Sequence, residues 1–147
     1  MRNISSKTYI AIEVVLYIAC NCGEKTVRTK DICEFQNVTL RYLEHIMQIL
    51  VKHKILKSVR GPKGGYLLYK DRRKILLSDI FVAMDDIENC SEKDKSPIFD
   101  EIALPLSVEV NATIEAKLSE TTIQDLYQRL QSSGDPLVSK NVSEFII

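Results

Sequence analysis

The stretch Val59-Arg60-Gly61-Pro62-Lys63-Gly64-Gly65-Tyr66 sets two cations among three glycines and a proline. Glycine lets a backbone come close to a phosphate or a groove wall. Arg60 and Lys63 can pair with phosphates or enter the electronegative minor groove of DNA. Upstream, Thr39-Leu40-Arg41-Tyr42-Leu43-Glu44 opens an apolar helical repeat. Arg41 can bond guanine or phosphate and Thr39 phosphate, while Glu44 can accept from the cytosine amino group, a role few side chains fill. Lys7 and Arg28 read either as phosphate contacts or as plain solubilising charges, and Thr29 adds a polar group beside Arg28. The expected DNA-contacting set is therefore Lys7, Arg28, Thr29, Thr39, Leu40, Arg41, Tyr42, Glu44, Arg60, Gly61, Pro62, Lys63, Gly64, Gly65 and Tyr66.

The remaining reactive residues make no constellation of this strength. The four cysteines are Cys20, Cys22, Cys33 and Cys90. Cys20 and Cys22 stand about 200° apart around a helix and face opposite ways, as packing residues do. His45 and His53 are separated by roughly 12 Å of helix, too far to share a metal. Cys90 falls in the polar stretch Glu88 to Pro97, where a thiol switch and a plain surface cysteine are both open readings. No nucleophile elbow, Walker loop or dinucleotide fingerprint is present, and Gly-Pro-Lys-Gly-Gly lacks the Gly-Lys-Ser/Thr order of an NTPase loop. An enzyme is not expected.

Particular elements must hold the basic residues in place. Ser5 and Ser6 precede a helix whose stripe is read as Tyr9, Ile12, Leu16 and Ala19, widened by Val15 and Ile18. Thr29 is expected to cap a short helix to Phe35, with Ile32 and Phe35 on its apolar side. After a turn at Gln36, Asn37 and Val38, Thr39 caps a longer helix with Leu43, Ile46, Met47 and Leu50 buried. Tyr42 stands where a capping box has Glu or Gln. Helix, short turn and helix form a helix-turn-helix. Residues 57–60 and 66–70 read as strands around a five-residue tip at Gly61 to Gly65, the wing of a winged helix.

The second half differs in character. Asp71 to Lys74 is a charged connector, and Ser78 is expected to cap a helix to about Asp86, with Ile80, Phe81, Ala83, Met84 and Ile87 apolar. Pro105 suits the first turn of a long helix, on which Val110, Ile114 and Leu118 draw one face for another helix to pack against. Thr122 with Asp125 resembles a capping box, and Gly134 ends regular structure. The 147 residues carry no net charge, yet residues 1–75 hold 15 Lys and Arg against 6 Asp and Glu, while residues 76–147 hold 5 against 14. A basic half joined to an acidic half points to a polyanion-binding module and a second part. The longest apolar run, Val14 to Cys20, is far short of the roughly 20 residues that cross a bilayer. The start lacks a signal-peptide pattern, so a cytoplasmic location with reduced thiols is expected.

From Ser6 to about Asp86 the chain resembles the bacterial winged helix-turn-helix regulator family that includes the iron–sulfur cluster regulator IscR, the nitric-oxide-sensing repressor NsrR and the cysteine-metabolism repressor CymR. The match is carried by Ser6-Lys7 with Tyr9-Ile10-Ala11, by Leu40 to Glu44, and by Ser58 to Tyr66. The resemblance implies a homodimer on a two-fold DNA site, with Arg60 at the minor groove, Glu44 in base reading, and the helix near residues 105–118 crossing its partner's copy. Cluster-binding members carry three cysteines after the helix that matches Ser78 to Asp86. Here that region has Cys90 alone, and Ser96 stands where a second might fall. A cluster normally needs four ligands, mostly thiolates. The chain thus resembles the cluster-free branch.

The expected fold is mainly α with a small β-hairpin: a winged helix-turn-helix DNA-binding domain over 1–75 and C-terminal dimerisation helices with a possible effector region over 76–147. The expected function is a homodimeric repressor that binds double-stranded DNA without a cofactor, Val110, Ile114 and Leu118 being buried between copies. Two alternatives stand beside it: a redox or iron–sulfur sensor using Cys90 across the dimer, and a winged-helix protein-interaction module.

Overall fold

The structure is a computed structural model, and it describes residues 5–21, 25–85, 101–102 and 104–134. Among the described residues, six helices and one hairpin follow in the order α1 (Ser6–Asn21), α2 (Thr29–Gln36), α3 (Leu40–Lys52), β1 (Leu56–Val59), β2 (Gly65–Leu68), α4 (Leu77–Asp85), α5 (Leu104–Glu120) and α6 (Ile123–Ser133). A 3-10 turn at Arg72–Lys74 links β2 to α4.

Helix α1 is the hub, packing against α2, α3, α4, α6 and β2. Its start is fixed by Ser5, whose hydroxyl accepts from the Thr8 N–H at 3.3 Å and meets the Thr8 hydroxyl at 2.9 Å. The buried side is Thr8, Ala11, Val14, Val15, Ile18 and Ala19. Of the expected stripe, Val15, Ile18 and Ala19 are buried, whereas Tyr9 is 53% exposed and Ile12 and Leu16 are only half-buried. The helix is apolar on most sides, so hydropathy alone leaves its rotation open.

Helices α2 and α3 meet as a helix-turn-helix. Asn37 ends α2 in the left-handed region at φ 53° and donates its N–H to the Cys33 carbonyl. Arg28, not Thr29, is the N-cap of α2 and offers no side-chain cap; Thr29 is the first helical residue. Thr39 does cap α3, accepting from the Tyr42 N–H over a long 3.4 Å. The apolar face of α3 is Leu43, Ile46, Met47 and Leu50, all buried.

The hairpin pairs Leu56 with Leu68, Lys57 with Leu67, Ser58 with Tyr66 and Val59 with Gly65. Both strands begin one residue earlier than expected, so Gly65 lies in a strand and the tip is residues 60–64. Ser78 lies inside α4 and does not cap it. Asp79 performs that task from the first turn, accepting the Leu76 N–H at 3.0 Å. On α4, Ile80, Ala83 and Met84 are buried as expected, whereas Phe81 is only half-buried.

Residues from both sides of position 75 share one core. Ile75, Leu77, Ile80, Ala83, Met84 and Ile123 cluster with the apolar faces of α1 and α3. Backbone bonds from Leu77 to Thr121 and from Ile123 to Ile75 seal the junction. The expected capping box of α6 is complete: the Thr122 hydroxyl accepts from the Asp125 N–H, and the Asp125 carboxylate accepts from the Thr122 N–H. Gly134 closes α6 at φ 67°. The side chain of Phe35, with Cys22, Ile87 and Cys90, lies outside the described residues.

Candidate nucleic-acid interface

Burial of Leu43, Ile46, Met47 and Leu50 turns the opposite side of α3 to solvent. Leu40, Arg41, Glu44, His45, Gln48 and Lys52 are exposed there, together with the capping Thr39. Leu40, Glu44 and Gln48 follow one another at four-residue spacing, and Arg41 and His45 lie beside them. This one surface joins an apolar side chain half exposed (Leu40, 50%) to a cation, a carboxylate, an imidazole and an amide. These are the groups that read thymine methyls, guanine, cytosine and adenine edges. Gln48 was not singled out in the sequence, although its four-residue spacing from Glu44 carries the signal. Tyr42, by contrast, is half-buried against the core, and burial pushes its phenol above the usual value.

The wing presents Arg60, Gly61, Pro62 and Lys63 in solvent, with Gly64 half-covered. Its turn closes through the Gly64 N–H, which donates to the Gly61 carbonyl at 2.8 Å. Gly61 takes φ 112°, open to glycine and strained for other residues. Behind the hairpin, Val27 exchanges two bonds with Tyr66: Val27 N–H to Tyr66 carbonyl at 3.0 Å, and Tyr66 N–H to Val27 carbonyl at 2.8 Å. Gly65 lies so close to this contact that a Cβ there would come within 2.5 Å of the Val27 carbonyl oxygen. The neighbours of Val27 reach the tip. The Thr26 hydroxyl donates to the Lys63 carbonyl at 2.6 Å, and the Arg28 guanidinium donates to the Pro62 carbonyl at 3.2 Å.

The structure thus brings Thr39, Leu40, Arg41 and Glu44 onto one helix face, and gathers Arg28 with residues 60–66. Lys7 lies half-buried in the first turn of α1. Thr26 and Val27 were not read as structural partners of the wing. A pair of β-branched residues between a glycine and a helix is the signal that was available.

The profile of the Rrf2 family, described as an iron-dependent transcriptional regulator, matches residues 4–129. The chain belongs to the Rrf2 family. It is 36% identical over 94 residues to the HTH-type transcriptional regulator IscR of Sodalis glossinidius, covering 62% of this chain and 57% of that protein. It is 39% identical over 83 residues to IscR of Photorhabdus laumondii, covering 56% and 51%. The chain therefore spans little more than half the length of these relatives. Among solved structures, T. potens IscR superposes with a TM-score of 0.73 at 28% identity, covering 91% of this chain and 92% of that one. CymR of B. subtilis, titled the global cysteine regulator, gives 0.69 at 27% identity, covering 88% and 98%. The fold is the winged helix of Rrf2 transcriptional regulators.

The Rrf2 description names iron, so the donors of this chain bear on it. Among the described residues, no three His, Cys, Asp or Glu come together in a way that holds a metal ion. Cys33 is half-buried on α2, and burial, reinforced by the charges of Glu44 and Glu34, pushes its thiol above the usual value. Cys90 lies outside the described residues. The described donors do not fit an iron site.

Proposed function

We propose that the chain is a sequence-specific DNA-binding repressor that works as a homodimer and without an iron–sulfur cluster. The observations that carry the reading are the exposed polar and charged side of α3, and a wing anchored to the segment leading into α2, in a chain of the Rrf2 family. Arg41 and Glu44 would meet base edges in the major groove, Thr39 a phosphate, and Arg60 with Lys63 the adjacent minor groove.

The homodimer reading rests on α5. Leu106, Val110 and Ile114 are exposed on it at four-residue spacing, while Leu118, near its end, packs against the core. An apolar surface of this kind on a helix suits a second copy of the same helix. Two copies of α3 would then enter successive major grooves about 34 Å apart. The cluster-free reading rests on the donor set, with Cys90 the only cysteine after α4. A cytoplasmic site of action goes with DNA as the partner; no described helix is long and apolar enough to cross a membrane.

The test begins with duplexes selected from a random pool and titrated by fluorescence anisotropy at rising salt. A selected duplex should bind far more tightly than its scrambled version, and Glu44→Ala and Arg60→Ala should erode that preference. Equal binding of scrambled DNA would leave a non-specific basic patch. Iron and sulfide analysis of anaerobically purified protein addresses the cluster. Colourless, iron-free protein that binds the selected duplex is expected. The family description names iron, which favours a second reading, an iron–sulfur cluster bridged between copies of Cys90; brown, sulfide-containing protein whose colour is lost in Cys90→Ser would establish it.

A further inference from the structure

We propose that Arg28 and Thr26 are positioning residues that clasp the wing tip and fix Arg60 and Lys63 relative to the reading face of α3. The inference rests on the DNA-binding reading above, because only a DNA-facing wing gives the clasp a purpose.

The tip has few restraints of its own. It spans residues 60–64, includes glycine at 61 and 64, and holds one internal backbone bond, from Gly64 to Gly61. A glycine-rich loop loses more conformational freedom on ordering than other sequences, so a loose tip weakens any contact made by its cations. Two side chains from outside the hairpin supply the missing restraints. Residues 26–28 run alongside β2, with Val27 exchanging both backbone bonds with Tyr66. Side chains alternate along an extended segment, so Thr26 and Arg28 leave on the same side while Val27 is buried on the other. That common side faces the tip, where they take the two successive carbonyls of Lys63 and Pro62.

Arg28 joins this clasp to the recognition unit. Its backbone is the N-cap of α2, and its carbonyl accepts from the Asp31 N–H at 3.1 Å. The path from wing tip to α3 is therefore a guanidinium, one helical cap, α2 and the turn at Asn37. A guanidinium carries five N–H donors, so Arg28 can hold Pro62 and still face a phosphate. Thr26 carries no charge, and its effect separates the clasp from simple phosphate attraction.

The experiment compares Thr26→Val, Arg28→Ala, Arg60→Ala and the pairs that combine the first two with the third. Amide hydrogen exchange on the free chain is measured first. Under the clasp, the Gly64 and Tyr66 amides exchange roughly tenfold faster in Thr26→Val and in Arg28→Ala, with the amides of α1 and α3 unchanged. Operator binding follows. Each clasp variant should lose affinity, and adding Arg60→Ala should cost less than it does in the wild-type background, because Arg60 is already misplaced. Exchange at Gly64 and Tyr66 unaltered in both variants would overturn the proposal. So would additive losses in the pairs, or an Arg28→Ala effect confined to a salt slope smaller by about one, the signature of a lone phosphate contact. Exchange reports on the clasp even if the wild-type protein selects no operator, so the clasp and the DNA-binding reading fail separately.

Discussion

Gly65→Ala should loosen the wing from the body of the protein, and the structure sets the size of the effect. Gly65 pairs with Val59 at the end of the hairpin. A Cβ built on it would stand 2.5 Å from the Val27 carbonyl oxygen, 2.9 Å from the Val27 carbonyl carbon and 3.0 Å from the Thr26 Cβ. Two of these atoms are backbone, and no rotamer change relieves them. The segment of residues 26–28 must therefore move, and the two bonds between Val27 and Tyr66 stretch or break. Each contributes about 1 kcal/mol net, giving roughly 2 kcal/mol, with a further cost from shifting the buried Val27 side chain. Alanine also restricts the unfolded chain, which returns about 0.4–1 kcal/mol. The net loss is about 1–2 kcal/mol, or a melting temperature lower by roughly 3–8 °C.

Urea unfolding followed by far-ultraviolet circular dichroism measures this directly, and the slope against urea should be that of wild type. Gly64→Ala is the control. Its Cβ would meet the carbonyl oxygens of Val59 at 2.6 Å and Gly61 at 2.7 Å, both within the hairpin. That variant should distort the tip, losing about 1 kcal/mol with the Gly64–Gly61 bond and losing DNA affinity, while the Tyr66 amide keeps its wild-type exchange. A Gly65→Ala protein as stable as wild type, with wild-type exchange at Tyr66, would refute the claim that the wing is seated on Val27.

Three further outcomes are expected. Val110→Glu with Ile114→Glu should convert a dimer to monomers in analytical ultracentrifugation while the helical signal persists; an unchanged dimer would remove α5 as the interface. The Asp71 carboxyl is held at about 2, first by its hydrogen bonds with Arg73, and the backbone and side-chain bonds of Thr122 hold that of Asp125 below the usual range. A depressed folded-state value stabilises the fold above the ordinary carboxylate range, and that contribution is lost as pH falls towards the folded value. Wild type should therefore lose stability as pH drops from about 4 to 2, and Asp71→Asn with Asp125→Asn should flatten this limb of the urea midpoint against pH. Cys33, with its thiol pushed up by burial, should react with iodoacetamide at pH 8 more slowly than glutathione does, as read by mass spectrometry; equal rates would contradict its burial.

The recognition helix was legible because its two sides differ in chemistry. Leu43, Ile46, Met47 and Leu50 repeat at helical spacing, while Arg41, Glu44, His45 and Gln48 fill the gaps. Helix α1 gave no such contrast: Tyr9, Ile12 and Leu16 are as apolar as the buried Val14, Val15 and Ile18. Its rotation is decided by the elements that surround it, and these come from distant parts of the chain. The misplaced caps have a similar origin. Thr29 and Ser78 are good capping residues by type, but Arg28 precedes α2, and Asp79 reaches back to satisfy the N–H of Leu76. The role of Arg28 was the hardest to see. Its sequence position announces a cation, whereas the guanidinium is bonded to a carbonyl 34 residues away. Long-range pairings of this kind leave no local pattern.

The charge asymmetry of the chain and the core its two halves share together constrain how an α5-mediated dimer would work. The basic half carries α3 and the wing, and the acidic half carries α5 and α6. Yet Ile123 of α6 is fully buried in the core that holds Leu43 and Met47 of α3, and Leu118 of α5 packs against that core. Arg72, just beyond β2, lies 3.9 Å over the ring of Tyr127 on α6. The base of the wing, α6 and the end of α5 are therefore braced against one another across position 75. Two chains joined through Val110 and Ile114 would carry their reading helices at a separation set by packing rather than by a flexible link. Half-site spacing then becomes the sensitive measure of the whole arrangement: inserting one base pair at the centre of a selected operator should abolish high-affinity binding. Tolerance of several different spacings would mean that α5 moves freely relative to α3.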